Sequence, residues 1–154
     1  MTNQPLYCVD NFKADDQEVW SRHWVGYMGT HHPPAVHPAV MDTNWKTIMA
    51  RDGRLLAWAL RDAAGGCQGF AHITTQYSTE AGLDEAYLMD LYVDPAHRGH
   101  GAGHLLMQHV IEDCRRKGLY RLFWITVPGV EYNRRFYEKY AQGRSWDRYF
   151  VTTK

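Results

Sequence analysis

Hydrophobic positions along the 154-residue chain change period several times, and each change marks an element. Leu6–Asp10 ("LYCVD") reads as a short first strand. In "DDQEVWSRHWVGYMGT", Val19, Trp20, His23, Trp24 and Tyr27 recur at helical spacing behind an acidic first turn, which suits the positive end of a helix dipole. "HHPPAVHPAV" stops that helix, because consecutive prolines cannot continue one. A second helix is predicted from about Pro38 to Arg51. "LLAWAL" and "GCQGFAHITTQY", divided by "RDAAGG", read as a hairpin-like pair of strands. "AYLMDLYV" (Ala86–Val93) is the most strand-like run in the chain. From Gly101 a helix follows, with Leu106, Val110 and Cys114 at i+4 spacing, a basic last turn and Gly118 just past its end. "YRLFWITV" predicts another buried strand, "EYNRRFYEKY" a short helix and "WDRYFVTT" a closing strand. The order β-α-α-β-β-β-α-β-α-β argues for an α+β fold with helices on the faces of a sheet.

Composition narrows the classes. Seventeen basic residues balance seventeen acidic ones, so no global field favours nucleic acid or an anionic membrane. A chain that is 45% hydrophobic and 14% aromatic is globular rather than disordered, and its length suits one domain over residues 1–154. Cys8, Cys67 and Cys114 are odd in number and share no CxxC spacing, which reads as free thiols in a reducing compartment. "MTNQPLYCVD" has neither the basic nor the apolar region of a leader, and no run approaches the ~20 apolar residues that span a bilayer. A cytoplasmic protein with no membrane or nucleic-acid partner is expected.

The chemistry concentrates in "VDPAHRGHGAG", where Gly99, Gly101 and Gly103 alternate between a strand and a helix. Such a turn exposes the first free N–H groups of the helix and its positive dipole end, a general device for anions. It is no dinucleotide fingerprint, which would need glycine at position 104 or 106, where the chain has His104 and Leu106. It is no Walker A loop either, because G-K-[ST] is missing. From the glycines alone, a tight turn and an anion cradle both remain open.

The longer stretch "LMDLYVDPAHRGHGAGHLLMQHV" resembles the acetyl-CoA-binding motif of the GNAT N-acetyltransferase superfamily: a strand ending in V-x-P, then R/Q-x-x-G-x-G/A, then a helix. Arg98, Gly101 and Gly103 fill its fixed positions, and the element order agrees over nearly the whole chain. The resemblance implies a mostly antiparallel mixed sheet of six or seven strands with about four helices, and acetyl-CoA as co-substrate without a metal. It implies that amides of His100, Gly101, Ala102, Gly103 and His104, with Arg98 and Gly99 beside them, cradle the pyrophosphate of coenzyme A. It also implies that backbone groups of Leu91, Tyr92 and Val93 pair with the pantetheine arm.

In "EYNRRFYEKYA", Tyr132, Phe136 and Tyr140 form a stripe, and Tyr137 lies roughly 100° from Phe136 around the helix. A phenol can protonate a departing thiolate, and the resemblance of "FYEK" to the family's later motif carries that role to Tyr137. The family often has asparagine seven residues earlier. Here that position is Val130, and Asn133 is the candidate cofactor contact in its place.

A proton acceptor for the attacking amine is sought among Asp90, Glu85 and Asp84, on or near the central strand, with Asp90 named first and Glu85 second. Strand alternation puts Asp90 on the face of Leu88 and Tyr92. A lone acid in "YLMDLYV" needs a partner or a task; a carboxylate bonded to neighbouring backbone or facing solvent remains the alternative.

In the family the acceptor usually lies between the first helices and the central strands. There Trp24 and Tyr27 are candidate contacts for a cationic or flat amine, although such aromatics are more often core. The expected substrate is a small primary amine, polyamine or amino-acid-like acceptor, taken by direct transfer in a ternary complex. A protein or histone tail, a non-catalytic acyl-CoA-binding module and another acyl donor remain alternatives, and exposed aromatics near the closing strand favour a homodimer. "HHPPAVH" groups His31, His32 and His37, but the prolines and the missing H-E-x-x-H make it a surface loop, not a metal site. Cys114 falls on its helix's buried stripe, so no acyl-enzyme is expected.

Overall fold

The structure, a computed structural model, describes residues 6–29, 32–143 and 151–152. β1 (Tyr7–Asn11) leads through a 3-10 turn into α1 (Gln17–Met28). A second turn, Pro33–Val36, precedes α2 (Pro38–Ala50). β2 (Leu56–Asp62), β3 (Cys67–Ser78) and β4 (Leu83–Val93) then form a meander, followed by α3 (Ala102–Arg116), β5 (Leu122–Trp124) and α4 (Glu131–Tyr137). Local chemistry sets the ends of α2. Pro38 occupies its first turn, where the missing N–H costs nothing, the His37 ring accepts from the Ala39 amide, and Arg51 closes it in the left-handed conformation. His37 is thus a helix cap; His31 lies outside the described residues.

Among the described residues the sheet has five strands in the order β1-β2-β3-β4-β5, all antiparallel except the parallel β4–β5 pair. Six or seven were expected. The closing strand predicted over 146–153 falls mostly outside the described residues, and Val151 and Thr152 have no regular structure. β5 is also shorter than "YRLFWITV" suggested: only Leu122–Trp124 pair, half-buried, while Ile125 and Val127 are exposed. Its ladder runs from Ala86↔Leu122 to Leu88↔Trp124 and stops there.

The reason lies one residue further on. His72 of β3 faces Asp90 but the next residue, Ile73, faces Leu88, so Met89 is an extra residue, a β-bulge. The bulge also corrects the expected alternation. His72 and Ile73 are consecutive and point to opposite faces, so Leu88 and Asp90 do as well, and Asp90 keeps Tyr92 on its face but not Leu88.

Two compact units partition the chain, Met1–Trp124 and Ile125–Lys154. The first holds the sheet with α1 to α3. Against one sheet face pack Trp20 and Trp24, stacked at 5.5 Å, with Trp45, Phe12, Ile48, Ala59 and Phe70. The other face receives α3, whose Leu106, Met107 and Val110 are fully buried and whose His109 meets Trp58 edge-on at 5.6 Å. Aromatic pairs of this kind add about 0.5–1.5 kcal/mol each beyond their buried area. In the second unit α4 carries Phe136 edge-on to Tyr137 (5.1 Å) and near Tyr140 (5.6 Å). Tyr132, expected on that stripe, is 65% exposed. Among the described residues no helix is long and apolar enough to cross a membrane.

Candidate active site

Gly99 and Gly101 both adopt φ near +80°, which L side chains rarely reach, and a Cβ at either would meet nothing within 4 Å. The glycines therefore serve the turn itself and leave open space above it. Gly101 caps α3, whose first helical bond runs from the Leu105 amide to the Gly101 carbonyl (3.0 Å). The amides of Ala102 and Gly103 precede that bond and so have no acceptor within the helix. Fifteen residues of helix add their dipole to those donors. The approach is braced by side chains. Arg98 Nε donates to the Val93 carbonyl (2.8 Å), with its guanidinium 5.7 Å over the Tyr92 ring, and Asp94 accepts from the Ala96 amide (2.9 Å). Backbone donors at the start of α3, the Arg98 charge and the clear space above Gly99 and Gly101 fit a pyrophosphate.

Beside the cradle, Leu91, Tyr92 and Val93 pair with Ala71, Phe70 and Gly69 of β3, but β5 has left the ladder at Leu88. Among the described residues, the β5-side edge of β4 beyond the bulge has no strand partner. It is an extended segment with polar backbone to offer, as a pantetheine arm with amides requires.

The candidate carboxylates have different surroundings. Asp84 is an exposed residue whose carbonyl accepts from the Tyr120 amide (2.8 Å). Glu85 is buried, with Oε1 accepting from Gln76 Nε2 (2.8 Å) and Oε2 held by Arg121 Nε, which also brings its guanidinium to Glu80. Asp90 is 6% exposed; its Oδ2 lies 3.0 Å from His72 Nδ1. On the far side of that ring, Trp20 Nε1 donates to His72 Nε2 (3.3 Å). His72 was not anticipated, although a lone histidine two residues after Phe70 in an apolar strand was the available signal.

Of the two aromatic side chains expected at the acceptor, Trp24 is a core residue, 5% exposed, with its indole donating to the Ala35 carbonyl (2.9 Å). Tyr27 is half-buried, between Trp24, Phe70 and Tyr92. An open cleft of about 670 Å³ lies between α1, the β2–β3 turn and the end of β4, lined in part by Arg22, His23, Gly26, Tyr92 and Asp94. His23 Nε2 donates to the Cys67 carbonyl (2.9 Å), which turns its Nδ1 toward Asp94 Oδ2 (3.6 Å). Burial pushes the Tyr92 phenol up, and it pushes the Cys67 and Cys114 thiols up to about 11. Thiols held so strongly protonated make poor nucleophiles. No metal-holding cluster of His, Cys, Asp and Glu occurs among the described residues.

In the second unit, Tyr137 ends α4 half-buried, and Asn133 Nδ2 donates to Thr126 Oγ1 (3.4 Å).

A sequence model described as Acetyltransferase (GNAT) family matches residues 14–141. A D-amino-acid N-acetyltransferase of Saccharomyces cerevisiae is 27% identical over 119 residues, covering 77% of this chain and 73% of that protein. The fold is similar to that of the ribosomal-protein-alanine N-acetyltransferase from Brucella melitensis biovar Abortus 2308. That match has a TM-score of 0.72 and 17% identity, over 95% of this chain and 98% of the other. It is also similar to glucosamine-6-phosphate N-acetyltransferase from Arabidopsis thaliana, with a TM-score of 0.72 and 16% identity over 96% and 100% of the two chains.

Proposed function

The chain belongs to the GNAT family of acetyl-CoA-dependent acyltransferases, and we propose that it acetylates the primary amine of a small, amino-acid-like acceptor by direct transfer in a ternary complex. The observation that carries the reading is the juxtaposition of two features: a glycine turn opening α3, and the edge of β4 beyond Met89 that β5 leaves unpaired. The acceptor class is supported by the similarity to a D-amino-acid N-acetyltransferase.

Amides from His100 to His104 hold the pyrophosphate, with Arg98 and Gly99 beside them, and Leu91, Tyr92 and Val93 align the pantetheine. Bound acetyl-CoA supplies the activated acetyl group and a thiol as leaving group. Asp90 takes the proton that the acceptor ammonium must lose before its lone pair can attack, and a backbone amide of β4 offers a donor to the developing oxyanion. Tyr27 lines the acceptor side with Trp24 behind it. Tyr137 returns a proton to the departing sulfur, and Asn133 contacts the cofactor; the motif match carries both assignments. A cytoplasmic enzyme working on a metabolite fits a chain of zero formal net charge.

Calorimetric titration with acetyl-CoA tests the reading, first on the wild type and then on Gly101→Val. Binding lost in the variant, followed by turnover in a screen of D- and L-amino acids and polyamines, is the expected result. No binding to folded wild type overturns the cradle. Binding without turnover on any amine, peptide tails included, would leave an acyl-CoA-binding module.

A further inference from the structure

We infer that Trp20 and His72 are positioning residues that keep the Asp90 carboxylate oriented and basic. The inference rests on the reading of Asp90 as proton acceptor. An indole N–H can only donate. Trp20 Nε1 points at His72 Nε2 across 3.3 Å, so that nitrogen must present its lone pair. The ring proton is thereby assigned to Nδ1, which donates to Asp90 Oδ2 at 3.0 Å. A doubly protonated ring would set N–H against N–H at Trp20, in a place where water cannot relieve the clash: Trp20 is 0% and His72 2% exposed.

The trio cannot easily rearrange. Phe70 stacks on the His72 ring at 4.7 Å and 17°, and Trp24 closes the other approach at 5.7 Å. The neighbouring histidine on α1, His23, faces Tyr92 instead, at 5.5 Å. The bulge at Met89 turns Asp90 onto this face.

The chemical consequence is specific. A carboxylate paired with an imidazolium cation is a weak base, whereas one accepting a single bond from a neutral ring keeps its charge available. Asp90 Oδ1 makes no hydrogen bond among the described residues. It is the atom that takes the proton: the ammonium N–H bond breaks, an O–H bond forms on Oδ1, and the amine keeps the electron pair. Trp20, two side chains away, sets the tautomer that makes this possible.

Two measurements test it. Nitrogen-15 NMR of the histidine rings in the intact protein should show His72 neutral, with Nδ1 protonated and Nε2 bare; a proton on Nε2 overturns the inference without any variant. Kinetics with acetyl-CoA and the best acceptor of the amine screen then compare Trp20→Phe, Asp90→Asn and the double variant. Trp20→Phe should lower kcat about tenfold, with KM for acetyl-CoA unchanged, and should lower it less than twofold further once Asp90 is Asn. Losses that multiply in the double variant mean that Trp20 only supports the fold, and overturn the positioning role. Full kcat in Asp90→Asn alone overturns the reading of Asp90 itself, and the inference with it.

Discussion

Arg61 and Asp16 meet through two parallel contacts, Nη1 to Oδ1 at 3.1 Å and Nη2 to Oδ2 at 2.7 Å, with both residues buried. The same guanidinium also donates to the Asn11 carbonyl (3.1 Å), so one side chain of β2 ties together β1 and the turn that launches α1. Burial alone would raise the Asp16 carboxyl. The Arg61 hydrogen bonds and the Lys13 amide outweigh it and hold Asp16 below its ordinary value of 3.8. A carboxylate with a lowered folded pKa contributes stability that is present above its unfolded value and is lost as pH falls through the folded one. Arg61→Leu should therefore destabilise by about 3 kcal/mol near neutrality, where it strands a buried charge. In thermal melts that is a Tm lower by roughly 6–12 °C for a chain of this size. The gap should narrow in acid, beginning above pH 3.8, where the variant's Asp16, raised by burial without Arg61, takes up its proton, and ending below it, where the wild type's does. A gap constant with pH would mean that Arg61 acts through packing alone.

Gly69 is constrained by close approach and not by φ. A Cβ there would overlap the Tyr92 carbonyl oxygen and press on Val93 Cα at 3.2 Å, both backbone atoms of the strand beside the cradle. Gly69↔Val93 is the last rung of the β3–β4 ladder, so neither strand can shift without opening it. Gly69→Ala should cost about 1–3 kcal/mol, the usual range for overpacking, and should weaken acetyl-CoA binding by displacing Tyr92 and Val93. Melting curves and calorimetry on the same sample check both, and an unchanged affinity in a destabilised variant would separate this rung from the cofactor edge.

Much of the fold is legible in the sequence because periodicity and breakers are local. The prolines at 33, 34 and 38, the glycines from 99 to 103 and the i+4 stripe of α3 each act within a few residues. What is not legible depends on pairing. The bulge at Met89 appears only when β4 is laid against β3, and it separates Leu88 from Asp90, which simple alternation puts together. β5 stops at Trp124 for a related reason: its hydrophobic run continues, but its partner strand has turned. The glycine turn is visible in advance because its spacing is local, and the motif resemblance is what reads it as a cradle. The setting of Asp90 is not, because Trp20, His72 and Asp90 come from α1, β3 and β4 and meet only in three dimensions.

Glu85 and Asp90 were rivals for the proton acceptor, and their partners differ in kind. Both Glu85 oxygens are occupied, one by the Gln76 amide and the other by the Arg121 guanidinium, which also pairs with Glu80. A carboxylate engaged by an arginine is a poor base. Glu85→Gln should lower Tm, because a side-chain amide would set a donor against Arg121 or Gln76, while kcat stays within about twofold. Asp90→Asn should lower kcat by roughly 100-fold or more, the usual range for losing a general base. Steady-state kinetics on the two variants decides the matter, and the opposite ranking would move the role to Glu85.

Tyr137 is the remaining assignment that kinetics can isolate. A thiol leaving group carries negative charge as the carbon–sulfur bond breaks, and its conjugate acid lies near the ordinary range of thiols, about 8.5. A phenol near 10 is therefore close enough in acidity to donate with little driving force either way, and water can replace it only with poorer placement. Such a donor matters in the transition state and not in the ground state, so its removal should fall on kcat and spare cofactor binding. Tyr137→Phe keeps the ring that meets Phe136 edge-on at 5.1 Å and removes only the hydroxyl. The expected result is a kcat lower by about 10–100-fold, with acetyl-CoA affinity within about twofold of the wild type by calorimetry. Replacing the donor with a better leaving thiol should rescue the variant: a thioester of a more acidic thiol needs no proton on departure, so its turnover by Tyr137→Phe should approach that of the wild type. Equal loss with both thioesters would mean that the hydroxyl serves α4 and not the sulfur.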